Sequence, residues 1–125
     1  MLNNFPIYPT IPVTDIEKAK EFYEDVLGLK AIDRTGEGVL FEAGKDTKIY
    51  IYKRTPSKAD HTLAGFSVED IEKVVDQLLE KGVKFEQYNV KGWIETNEKG
   101  IAEMDGAKSA WFKDPDGNIL AVNEM

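Results

Sequence analysis

The chain has 125 residues, 42% hydrophobic and 31% charged, with 23 acidic against 16 basic side chains and a net charge of −7. That length and balance suit one soluble globular domain with a real core, and the negative charge argues against nucleic acid or an anionic membrane as partner. No cysteine is present, so disulfides, thiolate catalysis and cysteine metal sites are excluded.

The chain opens on MLNNFPIYPT, which lacks the basic start and apolar stretch of a signal peptide. No apolar run approaches the roughly 20 residues of a membrane span. A cytoplasmic location is expected. Ile7, Pro9, Ile11 and Val13 share one parity, the period of a half-buried strand. From Asp15 the period changes: Ile16, Ala19, Phe22, Tyr23, Val26 and Leu27 follow helical spacing. Thr14 or Asp15 can cap this helix, Thr14-Asp15-Ile16-Glu17 fits a capping box, and Gly28 can end it. GLKAID is then extended, and GVLFEAG and TKIYIYKR flank Gly44-Lys45-Asp46 as a hairpin. Residues 54–60, RTPSKAD, read as a linker.

The second half repeats the first. VTDIEK at 13–18 returns as VEDIEK at 68–73. Ala64, Phe66 and Val68 alternate before Asp70, and Ile71, Val74, Val75, Leu78 and Leu79 keep helical spacing until Gly82. GVKFEQYNV opens a new extended stretch, and SAWFK and NILAVN flank the tight turn Asp114-Pro115-Asp116-Gly117. Residues 92–108, GWIETNEKGIAEMDGAK, have no counterpart of similar length and read as an insertion, a lid or an interface piece.

The expected fold class is α+β: two β-α-β-β-β modules, about 5–54 and 61–124, within a single domain of residues 1–125. Neither module hides its sheet face alone. Packed edge to edge they would form a curved, mostly antiparallel eight-stranded open trough, a helix backing each half. By strand parity its concave face carries Tyr8 and Thr10, Tyr50 and Tyr52, Leu63, Gly65 and Ser67, then Ile119 and Ala121. This apolar and aromatic lining with a few hydroxyls has the character of a small-molecule pocket. Trp93 and Trp111 are candidates to stack on a flat ligand. The competing reading is that the tyrosines serve strand packing and that Trp111 is core. Phe22, Tyr23, Phe66 and Leu78 are core in either case.

IPVTDIEKAKEFYEDVLGLK and FKDPDGN, with the duplication, resemble the vicinal oxygen chelate superfamily of glyoxalase I, extradiol dioxygenases, fosfomycin-resistance enzymes and bleomycin-binding proteins. The resemblance covers essentially the whole chain, and it implies a fold shared by enzymes and binding proteins. It also implies where a divalent metal would sit: seven residues before each helix-opening aspartate, at Tyr8 and Leu63; on the last strand of the first half, at Tyr50; and four residues after the DPDG glycine, at Ala121. Leucine and alanine offer no lone pair, and a neutral phenol with pKa near 10 is a poor ligand. A one-residue slip at Tyr50 brings Ile49 or Ile51, no better. His61, two residues before Leu63, is the one histidine; with Glu95 or Glu103 it could serve a displaced metal, but a ligand contact at the rim is expected of it.

No metal, no cofactor and no catalytic residue are therefore expected. The implied protein is a metal-free binder of the bleomycin-resistance kind, sequestering an aromatic or cationic compound. Its ligand-binding residues would be Tyr8, Thr10, Tyr50, Tyr52, His61, Leu63, Trp93, Trp111 and Ala121. A homodimer is expected, since open sheet edges invite a symmetric partner. Two alternatives stay open: a metal-dependent lyase, isomerase or dioxygenase with displaced ligands, and a module whose cavity is vestigial.

Overall fold

The two repeated aspartates do the same work. In the computed structural model, which describes residues 1–125 apart from the side chain of Thr35, Asp15 and Asp70 both have extended backbone and stand just before a helix. Each Oδ1 accepts from the N–H three residues on, Lys18 and Lys73, at 3.2 Å. An N-terminal N–H without an intrahelical partner is thereby satisfied, worth about 1 kcal/mol per cap. Thr14 is not the cap.

The chain divides into two units, Met1–Ser57 and Lys58–Met125, within the RTPSKAD segment. In the first, β1 (Thr10–Val13) leads into helix α1 (Ile16–Glu21), followed by β2 (Lys30–Thr35), β3 (Gly38–Glu42) and β4 (Lys48–Lys53). The sheet order is β1-β4-β3-β2, with β1 parallel to β4 and the other pairs antiparallel. Ile11, Val13, Val39, Phe41, Ile49 and Ile51 alternate onto one face and are buried with Ile16, Ala19 and Tyr23 of the helical segment. After α1 one π-helical turn, Phe22–Val26, carries Tyr23 into the core against Phe41 at 6.0 Å. Gly28 ends that helix at φ +78, and Gly82 ends the second at +89, a left-handed conformation that costs glycine little.

In the second unit β5 (Thr62–Ser67) precedes helix α2 (Ile71–Glu80). Then come a small hairpin of β6 (Asn89–Val90) and β7 (Ile94–Glu95), and strands β8 (Ile101–Met104), β9 (Ala107–Lys113) and β10 (Ile119–Glu124). The sheet order β5-β10-β9-β8, with β5 parallel to β10, repeats the first unit's topology. The fold is thus α+β, with strand–helix–three strands used twice. Ala110, Phe112, Leu120 and Val122 are buried on the face that α2 covers with Ile71 and Val75. Glu124 adds a second cap, its Oε1 accepting from Ile71 N at 2.9 Å.

Three local expectations change. The first strand begins at Thr10, and Ile7 is 94% exposed; Tyr50 N donates to the Pro9 carbonyl, and Pro6 and Pro9 have no N–H with which to extend the ladder. GVKFEQYNV supplies only the Phe85–Phe112 bridge and β6. The place in the sheet next to β9 is taken instead by β8, inside residues 92–108, which are therefore not a plain insertion. Ile101 and Ala102 of β8 are both buried, so the strand lacks the alternation that reveals an exposed edge.

Candidate functional site

Strand alternation leaves each sheet one face away from its helix. In the first unit that face carries Thr10, Tyr50 and Tyr52, since their neighbours Ile11, Ile49 and Ile51 are core. Tyr50 and Tyr52 are half-buried and lie parallel, ring centres 6.2 Å apart and planes within 8°. Gly38 makes this possible: a methyl there would overlap the Tyr50 ring and hydroxyl. Tyr8 precedes the strand and is half-exposed.

In the second unit the corresponding face carries Gly65, Ser67, Trp111, Ile119 and Ala121; a register shift pairs Thr62 with Ile119 and Ala64 with Leu120, leaving Leu63 between them without a partner on β10. Ala121 stands opposite Trp111 and beside Gly65, while Leu120, opposite Phe112, points to the core. Trp111 is therefore not core, though Ala121 beside it is 2% exposed. One end of this face deepens into a cleft of about 430 Å³. Tyr88, Trp93 and Trp111 form its aromatic wall, Val90, Ile94 and Ile119 its aliphatic one, and Asp60, His61 and Thr62 its rim. Tyr88 meets Trp111 edge to face at 5.4 Å, a favoured aromatic geometry.

The hairpin holds this wall. Thr96 Oγ1 accepts from Tyr88 N and donates to Gln87 Oε1, each at 3.0 Å, and Thr96 N donates to the Tyr88 carbonyl. Trp93 N closes the turn on the Val90 carbonyl at 2.9 Å, leaving the indole 70% exposed at the tip. The Tyr88 phenol is raised above its ordinary pKa, first by partial burial and then by Glu86, against the opposing pull of Lys113. It is a neutral hydrogen-bond donor at physiological pH. His61 lies 3.8 Å from Asp60, with both side chains well exposed.

Of the expected ligand residues, the structure brings His61, Trp93 and Trp111 into this one cleft. Ala121 shares its sheet face without lining it, Leu63 stands at the register shift of β5, and Tyr8, Thr10, Tyr50 and Tyr52 belong to the first unit. Tyr88, Val90 and Ile94 were not legible as site residues, because Tyr88 precedes β6 in irregular chain and the two-residue strands holding Val90 and Ile94 have too short a period to show a face.

The donor set does not fit a metal. Leu63 and Ala121 hold two of the four positions implied by the resemblance, and neither side chain has a lone pair. Among the described residues no group of three or more histidine or carboxylate side chains is placed to hold an ion. Nor do Glu95 and Glu103 join His61. They line a second cavity of about 510 Å³ with Glu72 and Lys108, and Trp93 stands on the wall of both. Alternation on β7 sends Ile94 into the apolar cleft and Glu95 into the other.

An uncharacterised protein of Bacillus subtilis (strain 168), YraH, is 33% identical over 131 residues, covering 90% of this chain and 92% of its own. A manganese-dependent 2,3-dihydroxybiphenyl 1,2-dioxygenase of Geobacillus genomosp. 3 is 29% identical over 107 residues; these are 82% of this chain and only 31% of that enzyme. The crystal structure of an antibiotic binding protein from Streptomyces sp. CB03234 shares the fold, with TM-score 0.66, 24% identity, and coverage of 96% and 94% of the two chains. Among the described residues no helix is long and apolar enough to cross a membrane. The model of the Glyoxalase/Bleomycin resistance protein/Dioxygenase superfamily matches residues 7–122, and the chain belongs to that family.

Proposed function

We propose that this protein binds and sequesters a small, flat, partly aromatic molecule in the cytoplasm, without a metal and as a homodimer. The observation that carries the reading is the cleft walled by Tyr88, Trp93 and Trp111, with the acidic Asp60 at its rim. Rings of this kind contribute about 0.5–1.5 kcal/mol each beyond area burial when they stack, and a cationic group on the ligand is favoured by their faces. Tyr8, Thr10, Tyr50 and Tyr52 of the first unit, with Leu63 and Ala121 of the second, are proposed as further ligand-facing positions. Similarity to an antibiotic binding protein supports sequestration.

The similarity to a manganese-dependent dioxygenase favours a second reading, an enzyme that recruits a metal through other residues. One experiment separates the two: metal analysis of the purified full chain, with thermal-shift titration against Mn²⁺ and Zn²⁺ and against acridine orange as a planar cation. Sequestration expects a rise in melting temperature with the dye and none with either metal. A stoichiometric metal needed for turnover would overturn it.

A further inference from the structure

The face that carries the cleft also carries a half-buried amide whose NH2 is not engaged by any protein acceptor. Asn123 on β10 is half-buried, and its Oδ1 accepts from the Ser109 hydroxyl at 2.7 Å. That bond sets the orientation of the amide, turning its NH2 toward β5. There Gly65 leaves the space: a methyl at Gly65 would lie 2.7 Å from Asn123 Nδ2. Among the described residues Nδ2 makes no hydrogen bond. An Asn amide carries two donors, so two N–H groups face an open sheet surface, fixed by one hydrogen bond and one missing side chain.

The register places this donor relative to the cleft. Asn123 pairs with Ser109, and Ala121, two residues back, pairs with Trp111. Residues two apart on a strand share a face and lie about 7 Å apart. The amide therefore sits one same-face step beyond the Trp111 position. Its neighbours on that face are Gly65, Ser67, Ser109 and Ala121, none of them charged. Glu124 points the other way, bonded to Ile71 N.

We infer that Asn123, oriented by Ser109 and given room by Gly65, is a positioning site for a neutral carbonyl oxygen on the aromatic ligand of the cleft. An anionic oxygen is disfavoured because none of the amide's neighbours on its own sheet face is a cation. A ligand cation finds no acceptor at Nδ2. The predicted ligand is thus a flat aromatic ketone, quinone or amide whose ring lies against Trp111 and whose oxygen reaches the Asn123 amide. This inference rests on the binding reading given above.

The test titrates the full chain with 2-acetylnaphthalene and with 2-isopropenylnaphthalene, following tryptophan fluorescence. The hydrocarbon has the same outline, with C=CH2 in place of C=O. The ketone is expected to bind about fivefold more tightly, the worth of one neutral hydrogen bond. Asn123→Asp, which replaces the donors by acceptors, and Gly65→Ala, which displaces the amide, should each abolish that preference, read as the ratio of the two probes' dissociation constants within the same variant. Ser109→Ala, which removes only the hydroxyl that orients the amide, should weaken the preference even if the other two variants fold poorly. Equal affinities in the wild-type protein, or a preference that survives in all three variants, would overturn the assignment of Asn123 while the aromatic cleft stands. If neither probe binds, the cleft reading falls with it.

Discussion

Asp114 explains why an acidic residue opens the DPDG turn. It is 5% exposed; its Oδ1 accepts from Asp116 N and Asn118 N at 2.9 Å, and its Oδ2 from Asn118 Nδ2 at 2.8 Å. A buried carboxylate so satisfied is stable, and removing it strands three donors. Asp114→Ala should cost about 2–3 kcal/mol in urea unfolding, whereas Asp116→Ala, whose backbone keeps the N–H that bonds Asp114, should cost much less. Tyr88 makes a second statement about a single group. Its phenol is raised by burial and by Glu86, so the folded state holds that proton more tightly than the unfolded chain. Such a contribution is complete below the unfolded pKa of about 10 and is lost as pH rises through the folded value. Urea midpoints measured upward from about pH 9 should therefore fall, and Tyr88→Phe should flatten part of that fall.

At the scale of elements, the caps and the hairpin differ in kind. Asp15→Ala and Asp70→Ala should each lower stability by about 1 kcal/mol. Glu124 also bonds the first turn of α2, so the loss at Asp70 should be the smaller of the two. The hairpin is tied at its base, by Thr96 to Gln87 and Tyr88, and by Lys99 to Asp76 at 3.0 Å and Glu72 at 3.5 Å. Lys99 is raised above its ordinary pKa, chiefly by its hydrogen bond to Asp76; that tie is complete at neutral pH and loosens only above about pH 10.5. Thr96→Val should raise amide hydrogen exchange across residues 88–97 without changing exchange in β3 and β4, and should weaken ligand binding by freeing Tyr88 and Trp93. These elements also mark the boundary of what periodicity can disclose. Both helices, their aspartate caps and their glycine ends were visible in the residues, because long amphipathic segments and capping side chains act locally. The β6–β7 hairpin and β8 were not. Two-residue strands have no period, and β8 is recognisable only through its pairing with β9.

For the whole molecule, a ligand held only by the folded state should raise stability by about 2.7 kcal/mol at a hundredfold excess over Kd, a melting-temperature shift of about 10 °C for a chain of this size. Sedimentation of the full chain is expected to show a dimer. What the sequence determined by itself was the α+β class, the duplication, the helix caps and the absence of donors at Leu63 and Ala121, all properties of residue type and local spacing. Only tertiary structure decided that Trp93 and Trp111 share a cleft with Tyr88 and His61, that Glu95 and Glu103 face a different cavity, and that Gly65 makes room for Asn123. The physical reason is that these groups come from separate strands and loops far apart in the chain. No local preference encodes which of them meet; pairing register and alternation across the finished sheet do.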